Sequence, residues 1–229
     1  MSAESLLYEL RLNGFIVLRN FLSRDFIEAL HMQVQPLVLG YAERVAQGDT
    51  SIVRGRNRVS IDLKPYAKIL AGALEDARLR RHPVVTQILD SVMGLWREGS
   101  LFAECPLPGS EYMTWHPDTD DAFLSRPLRT ERMTFNVPLG EVNDSNAPMQ
   151  IIPGSHRLHH HDVAEIYRIP QVHAVSLLTR TGDCILRDGN ALHRGTPNLT
   201  TTTRIMLGQT YKLVETGATT PAGAPSGPR

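Results

Sequence analysis

The sequence predicts a mainly β domain, a sandwich or barrel of short antiparallel strands, with helices at its N-terminal end. Up to about residue 100 apolar residues recur at helical spacing, and from Leu101 onward they fall into short runs between Pro, Gly, Asn and Asp. Helices present an apolar stripe every 3.6 residues and strands alternate, so such a change of texture marks a change of layer. No internal repeat is present.

The elements follow in order. In "SAESLLYELRLNG", Leu6, Leu7 and Leu10 share one helical face, and Asn13-Gly14 stops the helix as a C-cap does. "FIVLRNF" reads as a strand. Ser23 caps a second helix that carries Phe26, Ile27 and Leu30 at helical spacing, with Asp25 in its first turn. Helical patterns continue through "AKILAGALEDARLRRHPVVTQILDSVMGLW", broken at His82-Pro83 because proline cannot continue a helix. The strand candidates are "SLFAECPLPG", "RMTFNVPL", "MQIIPGS", "HAVSLLT", "DCILRD" and "RIMLGQTY". We expect one domain over residues 1–215, helical over 1–100 with a β core over about 101–215, and a disordered Pro/Gly/Thr-rich tail over 216–229.

Composition excludes several function classes. Lys plus Arg and Asp plus Glu number 24 each in 229 residues, so no bulk charge attracts nucleic acid or an anionic membrane. Glu9 and Arg11 interrupt any leader-like apolar run, and no stretch approaches the roughly 20 apolar residues of a membrane span. The expectation is a soluble, cytoplasmic protein with no nucleic-acid or membrane partner. Only Cys105 and Cys184 occur, without CxxC spacing, so any metal must be held by nitrogen and oxygen.

"TWHPDTDD" holds the first chemical signal. Side chains at i and i+2 leave the same face of a strand, so His116 and Asp118 can offer an imidazole and a carboxylate to one point. Alone, HxD is equally a polar pair at a strand end, and "HHHD" supplies a second example at His160 and Asp162. A third element is His193, in the turn-rich connection after "DCIL", where a returning strand can place it opposite His116. Two histidines and one carboxylate on one side of a metal, with the other side open, is the arrangement of non-haem Fe(II) oxygenases. Arg204 opens "RIMLGQTY". An arginine there either reaches solvent at the strand end or meets an anion, and its planar fork suits the distal carboxylate of 2-oxoglutarate.

These pieces resemble the phytanoyl-CoA dioxygenase-like Fe(II)/2-oxoglutarate oxygenases. The likeness lies in "LRLNGFIVLRNFLSRDFIEAL", in "PLPGSEYMTWHPDTDD" with PG followed by WHxD, in "VPLGEVNDSNAPMQIIPGSHRLHH" with PGSH, and in "GDCILRDGNALHRGTPNLTTTTR". The resemblance implies a double-stranded β-helix, a cupin-like jelly roll, with N-terminal helices bracing one sheet. It implies Fe(II) on His116, Asp118 and His193, with 2-oxoglutarate and O2 as co-substrates and Arg204 on the far carboxylate. Three features depart from the pattern. Pro117 fills the HxD linker, "NAPMQ" stands where Asn-Gly is common, and residue 195 is Gly where several relatives carry a serine that helps hold 2-oxoglutarate. Thr196 or Thr134 is the expected substitute. Asp118 is retained, which argues against the halogenase variant.

Other features read as structural or stay open. "VRGRNR", Val53 to Arg58, either clamps an anionic substrate or is a solvated loop face. His159 to His161 read as surface loop, because three adjacent side chains cannot converge on one ion. Thr134 and Asn136 alternate on "RMTFNVP" and can face the cavity; Trp115 is assigned to packing, and Asp183 and Asp188 to turns and caps. The expected function is dioxygenation, by default hydroxylation, of a small molecule such as a specialised metabolite or amino-acid-like compound, yielding succinate and CO2. The alternative is a non-catalytic jelly-roll protein that binds a small ligand. Oligomeric state and the fate of the substrate radical are not encoded in any motif.

Overall fold

A computed structural model describes residues 3–66, 70, 76–119, 129–158 and 173–214. The expected tail over 216–229, the histidine run His159 to His161 and the second HxD at His160 and Asp162 lie outside the described residues.

Helix α1 (Ala3–Asn13) buries Leu6 and Leu10 and ends where Gly14, at φ 81°, returns its N–H to the Leu10 carbonyl at 2.7 Å. The turn leads into β1 (Phe15–Leu18). Ser23 caps α2 (Arg24–Ala46) by accepting from the Phe26 N–H, and Ile27, Leu30, Val34 and Val38 form its buried stripe. Strand β2 (Arg58–Asp62) follows, then helices α3 (Ala77–Arg80) and α4 (Pro83–Met93). His82-Pro83 starts α4 rather than interrupting a longer helix: Pro83 occupies the first turn, where no N–H is needed, and His82 accepts from Val84.

The β half comprises β3 (Trp96–Pro106), β4 (Arg132–Pro138), β5 (Met149–Ile151), β6 (Val175–Leu177), β7 (Cys184–Asp188), β8 (His193–Gly195) and β9 (Met206–Leu213). They form a six-stranded sheet in the order β1-β7-β4-β9-β3-β2 and a three-stranded sheet in the order β6-β5-β8, with every pairing antiparallel. From β4 to β9 the chain passes back and forth between the sheets, the winding expected of a double-stranded β-helix. The expected strand from Arg204 begins two residues later, at Met206.

Alternation along the large sheet positions the site. Val59, Ile61, Ala103, Cys105, Met133, Phe135, Val137, Leu207 and Tyr211 share one core cluster with the helix residues Leu6, Leu10, Ile27, Leu30, Ile88 and Leu89. Their even-numbered neighbours on the same strands face a cavity of about 430 Å³. Among these are Arg58, Ser60, Asp62, Phe102, Glu104, Asn136, Met206 and Thr210. A period of two therefore separates an apolar face, braced by helices, from a polar face turned to the smaller sheet. Gly208 is required on that inner face, since a Cβ there would stand 2.3 Å from the Phe102 ring lying over it.

Candidate metal centre

His116 and His193 face each other across a two-residue bridge, each N–H donating to the other's carbonyl at 3.1 Å. Their rings lie 4.5 Å apart. Asp118 sits on a bend rather than a strand, its N–H bound to the Gly189 carbonyl at 2.7 Å. One ligand atom from each of His116, Asp118 and His193 lies within 4.8 Å of the other two.

Hydrogen bonds choose which atoms face that point. The His116 Nδ1–H donates to the Thr114 carbonyl at 2.8 Å and the His193 Nδ1–H to the Ala191 carbonyl at 2.9 Å. Both rings therefore keep the Nε2 lone pair free for a metal. His193 is 5% exposed, and burial, reinforced by the nearby Arg187 charge, pushes its pKa down to about 3, so it is neutral as a ligand must be. For Asp118 burial acts to raise the pKa, but the Arg187 guanidinium wins and holds the carboxyl well below its ordinary range. Asp118 Oδ2 accepts from Arg187 Nη2 at 2.6 Å and from the Thr134 hydroxyl at 3.4 Å, while Oδ1 lies 3.6 Å from His193 Nε2. With His193 neutral, the last contact is two ligand atoms facing one point, not an ion pair. Two imidazoles and a carboxylate without a thiolate fit Fe(II), and three protein donors leave half of an octahedral shell open.

Arg204 lines the same cavity and is 9% exposed. The solvent-reaching alternative thus fails. Its Nη2 donates to the Ala147 carbonyl at 2.9 Å, whereas Nε and Nη1 are buried without a partner. Burial, with the like charge of Arg58 second, pushes its pKa down from 12.5 to about 10. Two orphaned donors on a buried cation call for an anion, which fits a carboxylate of the co-substrate.

The expected serine substitutes are placed otherwise. Thr196 turns its hydroxyl to the Pro148 carbonyl at 2.7 Å, and Thr134 turns its own to Asp118. The cavity wall beside residue 195 is formed instead by Arg58, 3% exposed, whose Nη2 donates to the Thr196 carbonyl at 2.7 Å and the Glu111 carbonyl at 3.1 Å. A Cβ on Gly195 would stand 2.5 Å from Arg58 Nη1, so the glycine and the arginine belong together.

The basic stretch divides: Arg54 and Arg58 line the cavity, while Arg56 pairs with Glu111 at the surface at 2.8 Å. Trp115 packs against Ile152 and Leu192, and Arg194 stacks 4.5 Å from its ring. Asn136 faces the cavity. Asp183 caps the Asn20 and Arg180 N–H groups, and Asp188 caps Asn190. Sequence reading missed Arg187 and Glu104 as cavity residues and left Arg58 open within the basic stretch. Each had a signal: polar residues at period two in "RVSID" and "FAEC", and an arginine inside the apolar "CILRD".

The chain is similar to known proteins over most of its length. Ectoine dioxygenase of Bordetella bronchiseptica (strain ATCC BAA-588 / NCTC 13252 / RB50) is 23% identical over 89% of this chain and 73% of its own length. The crystal structure of EctD from S. alaskensis, with 2-oxoglutarate and 5-hydroxyectoine, superposes at a TM-score of 0.68 with 21% identity, over 93% of this chain and 77% of that one. The non-haem α-ketoglutarate-dependent epimerase SnoN from nogalamycin biosynthesis superposes at 0.66 with 20% identity, over 92% and 80%. These likenesses identify the two sheets as the expected jelly roll. The phytanoyl-CoA dioxygenase (PhyH) family model matches residues 10–206, and the chain belongs to that family of Fe/2-oxoglutarate-dependent oxygenases.

Proposed function

We propose that the protein hydroxylates a small, charged molecule, converting 2-oxoglutarate and O2 to succinate and CO2 in each turnover. In this reading His116 and His193 through Nε2, and Asp118 through Oδ1, hold Fe(II), while Arg204, flanked by Arg58, takes the distal carboxylate of 2-oxoglutarate. Bound there, the iron and its 2-oxo acid supply O2 activation and removal of hydrogen from a substrate C–H bond. The chain supplies placement. Strand β8 carries His193 at one end and Gly195, against Arg58, two residues on, a step of about 6.6 Å along the strand. Phe102, Met113, Met149 and Met206 give the cavity its apolar wall against water.

The observation that carries the reading is one cavity holding both the three converging ligand atoms and the unpaired Arg204 donors. Its polar lining includes Arg54, Arg132, Asp62 and Glu104, which favours a substrate with charged or hydrogen-bonding groups. A volume of about 430 Å³ suits a metabolite beside the co-substrate and disfavours an acyl-CoA. Among the described residues no helix is long and apolar enough to cross a membrane. The single-domain reading over 1–215 belongs to the same proposal.

The test is anaerobic addition of Fe(II) and 2-oxoglutarate to the apo-protein, read by the weak visible charge-transfer band of the chelate. A band that is lost in His116→Ala, followed by succinate formation stimulated by one member of a panel of charged metabolites, is the expected result. A folded protein that gives no band has the jelly roll without the chemistry, and the ligand-binding alternative then replaces this proposal.

A further inference from the structure

Asp118 has two oxygens, and the protein treats them differently. Oδ2 receives both donors, Arg187 at 2.6 Å and Thr134 at 3.4 Å, while Oδ1 is left facing His193 Nε2 at 3.6 Å. Arg187 comes from the middle of the large sheet, its strand paired with β4 so that Arg187 lies opposite Thr134. Its side chain is 4% exposed. A second bond, from Nε to the Asn136 Oδ1 at 3.2 Å, fixes the guanidinium plane. Nη1 lies 3.5 Å from His193 Nδ1, but that nitrogen's proton is committed to the Ala191 carbonyl, so the contact is packing rather than a hydrogen bond. The backbone of Asp118 is anchored as well, through Gly189 and through Arg132 on its own carbonyl. The carboxylate can neither swing nor rotate without breaking a charge-assisted bond in a buried place.

Denticity decides what the site can do. A carboxylate can give a metal one oxygen or two, and each oxygen takes a coordination position. Two imidazoles and one oxygen leave an octahedral ion three positions, enough for a bidentate 2-oxo acid and O2. Two imidazoles and two oxygens leave only two. We propose that Arg187 is a positioning residue that holds Asp118 as a one-oxygen ligand and thereby keeps the third position open for the co-substrates. The inference rests on the iron and 2-oxoglutarate reading above. In this role Arg187 acts through Asp118, whose Oδ2 it holds. An ordinary buried ion pair would serve stability alone, and the two roles separate cleanly. Releasing Oδ2 gives the metal an extra donor and costs the 2-oxo acid its place, whereas loss of a merely structural pair weakens both.

The experiment compares wild type with Arg187→Met, an apolar replacement of similar length, first by anaerobic calorimetric titration with Fe(II) and then by 2-oxoglutarate titration of the iron-loaded protein, the second step followed by the visible charge-transfer band. Expected is an Fe(II) affinity that is kept or tightened, with 2-oxoglutarate affinity reduced at least about tenfold, in the range typical of residues that orient metal ligands. Arg187→Lys, which keeps a cation at one oxygen, is expected to lie between the two, and it carries the comparison if Arg187→Met does not fold. Weaker Fe(II) binding, whether or not 2-oxoglutarate affinity falls with it, overturns the proposal, as does no change in either. If wild type itself forms no band, the iron and 2-oxoglutarate reading fails and this inference falls with it. The two failures are thus told apart by the wild-type trace.

Discussion

Replacing Arg204 by Met should move stability and ligand affinity in opposite directions. In the ligand-free protein Arg204 is a buried cation with no carboxylate within ion-pair distance among the described residues, and two of its nitrogens are unpartnered. A fall in its pKa from 12.5 to about 10 corresponds to a penalty on this charge on the order of 3 kcal/mol. Methionine fills similar space without that cost but forfeits the charge-assisted bond to the Ala147 carbonyl, worth about 1.5–3 kcal/mol. The balance predicts a gain of up to about 1.5 kcal/mol in the apo-protein, or a rise in Tm of up to roughly 3–6 °C for a domain of this size. The same change removes two charge-assisted hydrogen bonds to the co-substrate carboxylate, each about 1.5–3 kcal/mol, so 2-oxoglutarate affinity should fall at least about a hundredfold. Differential scanning calorimetry of the apo-protein and 2-oxoglutarate titration of the iron-loaded protein read the two halves. A variant that binds 2-oxoglutarate as wild type does would refute the assignment of Arg204. One that loses affinity and also melts lower would show that the arginine is needed for the fold.

Three further outcomes follow from contacts in and around the cavity. Gly195→Ser should cost about 1–3 kcal/mol by driving a side chain into Arg58 Nη1, and the loss should be largely relieved in the double variant Gly195→Ser/Arg58→Met; additive denaturation free energies would show that the two sites do not touch. Thr196→Val should lower stability by about 1 kcal/mol through loss of the bond to Pro148 but leave 2-oxoglutarate affinity within about twofold, and a larger change in affinity would return Thr196 to the cavity. Burial raises the Asp188 carboxyl from 3.8 to about 6, despite bonds from Thr130 and Asn190. The folded state then binds the proton more tightly than the unfolded chain, so this group's contribution is fully present below pH 3.8 and is lost as pH rises through about 6. Asp188→Asn should therefore gain roughly 2–3 kcal/mol on wild type between pH 4 and pH 7. Urea midpoints at both pH values test this, and a difference that does not change with pH overturns it.

Much of this protein is legible along the chain because the signals are local. Leu6 and Leu10 define a helical face, and Gly14 stops that helix because only a residue at ease with positive φ turns the chain there. His116 and Asp118 stand two apart, and Arg204 is an arginine at the edge of an apolar run. Residue types limited to nitrogen and oxygen donors excluded a thiolate site before any coordinates. Other facts live in the pairing of distant strands. Where the hydroxyls of Thr134 and Thr196 turn could not be read from the sequence, since Thr196 is held by the Pro148 carbonyl, 48 residues distant, and Thr134 by Asp118. Gly195 looks like a loss in the sequence and becomes a fit only when Arg58, 137 positions earlier, lies against it. Arg187 reads as an oddity inside "CILRD" until β7 is paired with β4 and its guanidinium meets Asp118, 69 residues away. The sequence by itself determined the layer order, the donor types and the metal-ligand candidates, because periodicity and side-chain chemistry are properties of short stretches. Only the tertiary structure decided which oxygen of Asp118 stays free, which cations share the cavity and which polar groups remain unpaired, because register brings those groups together and burial sets their charge.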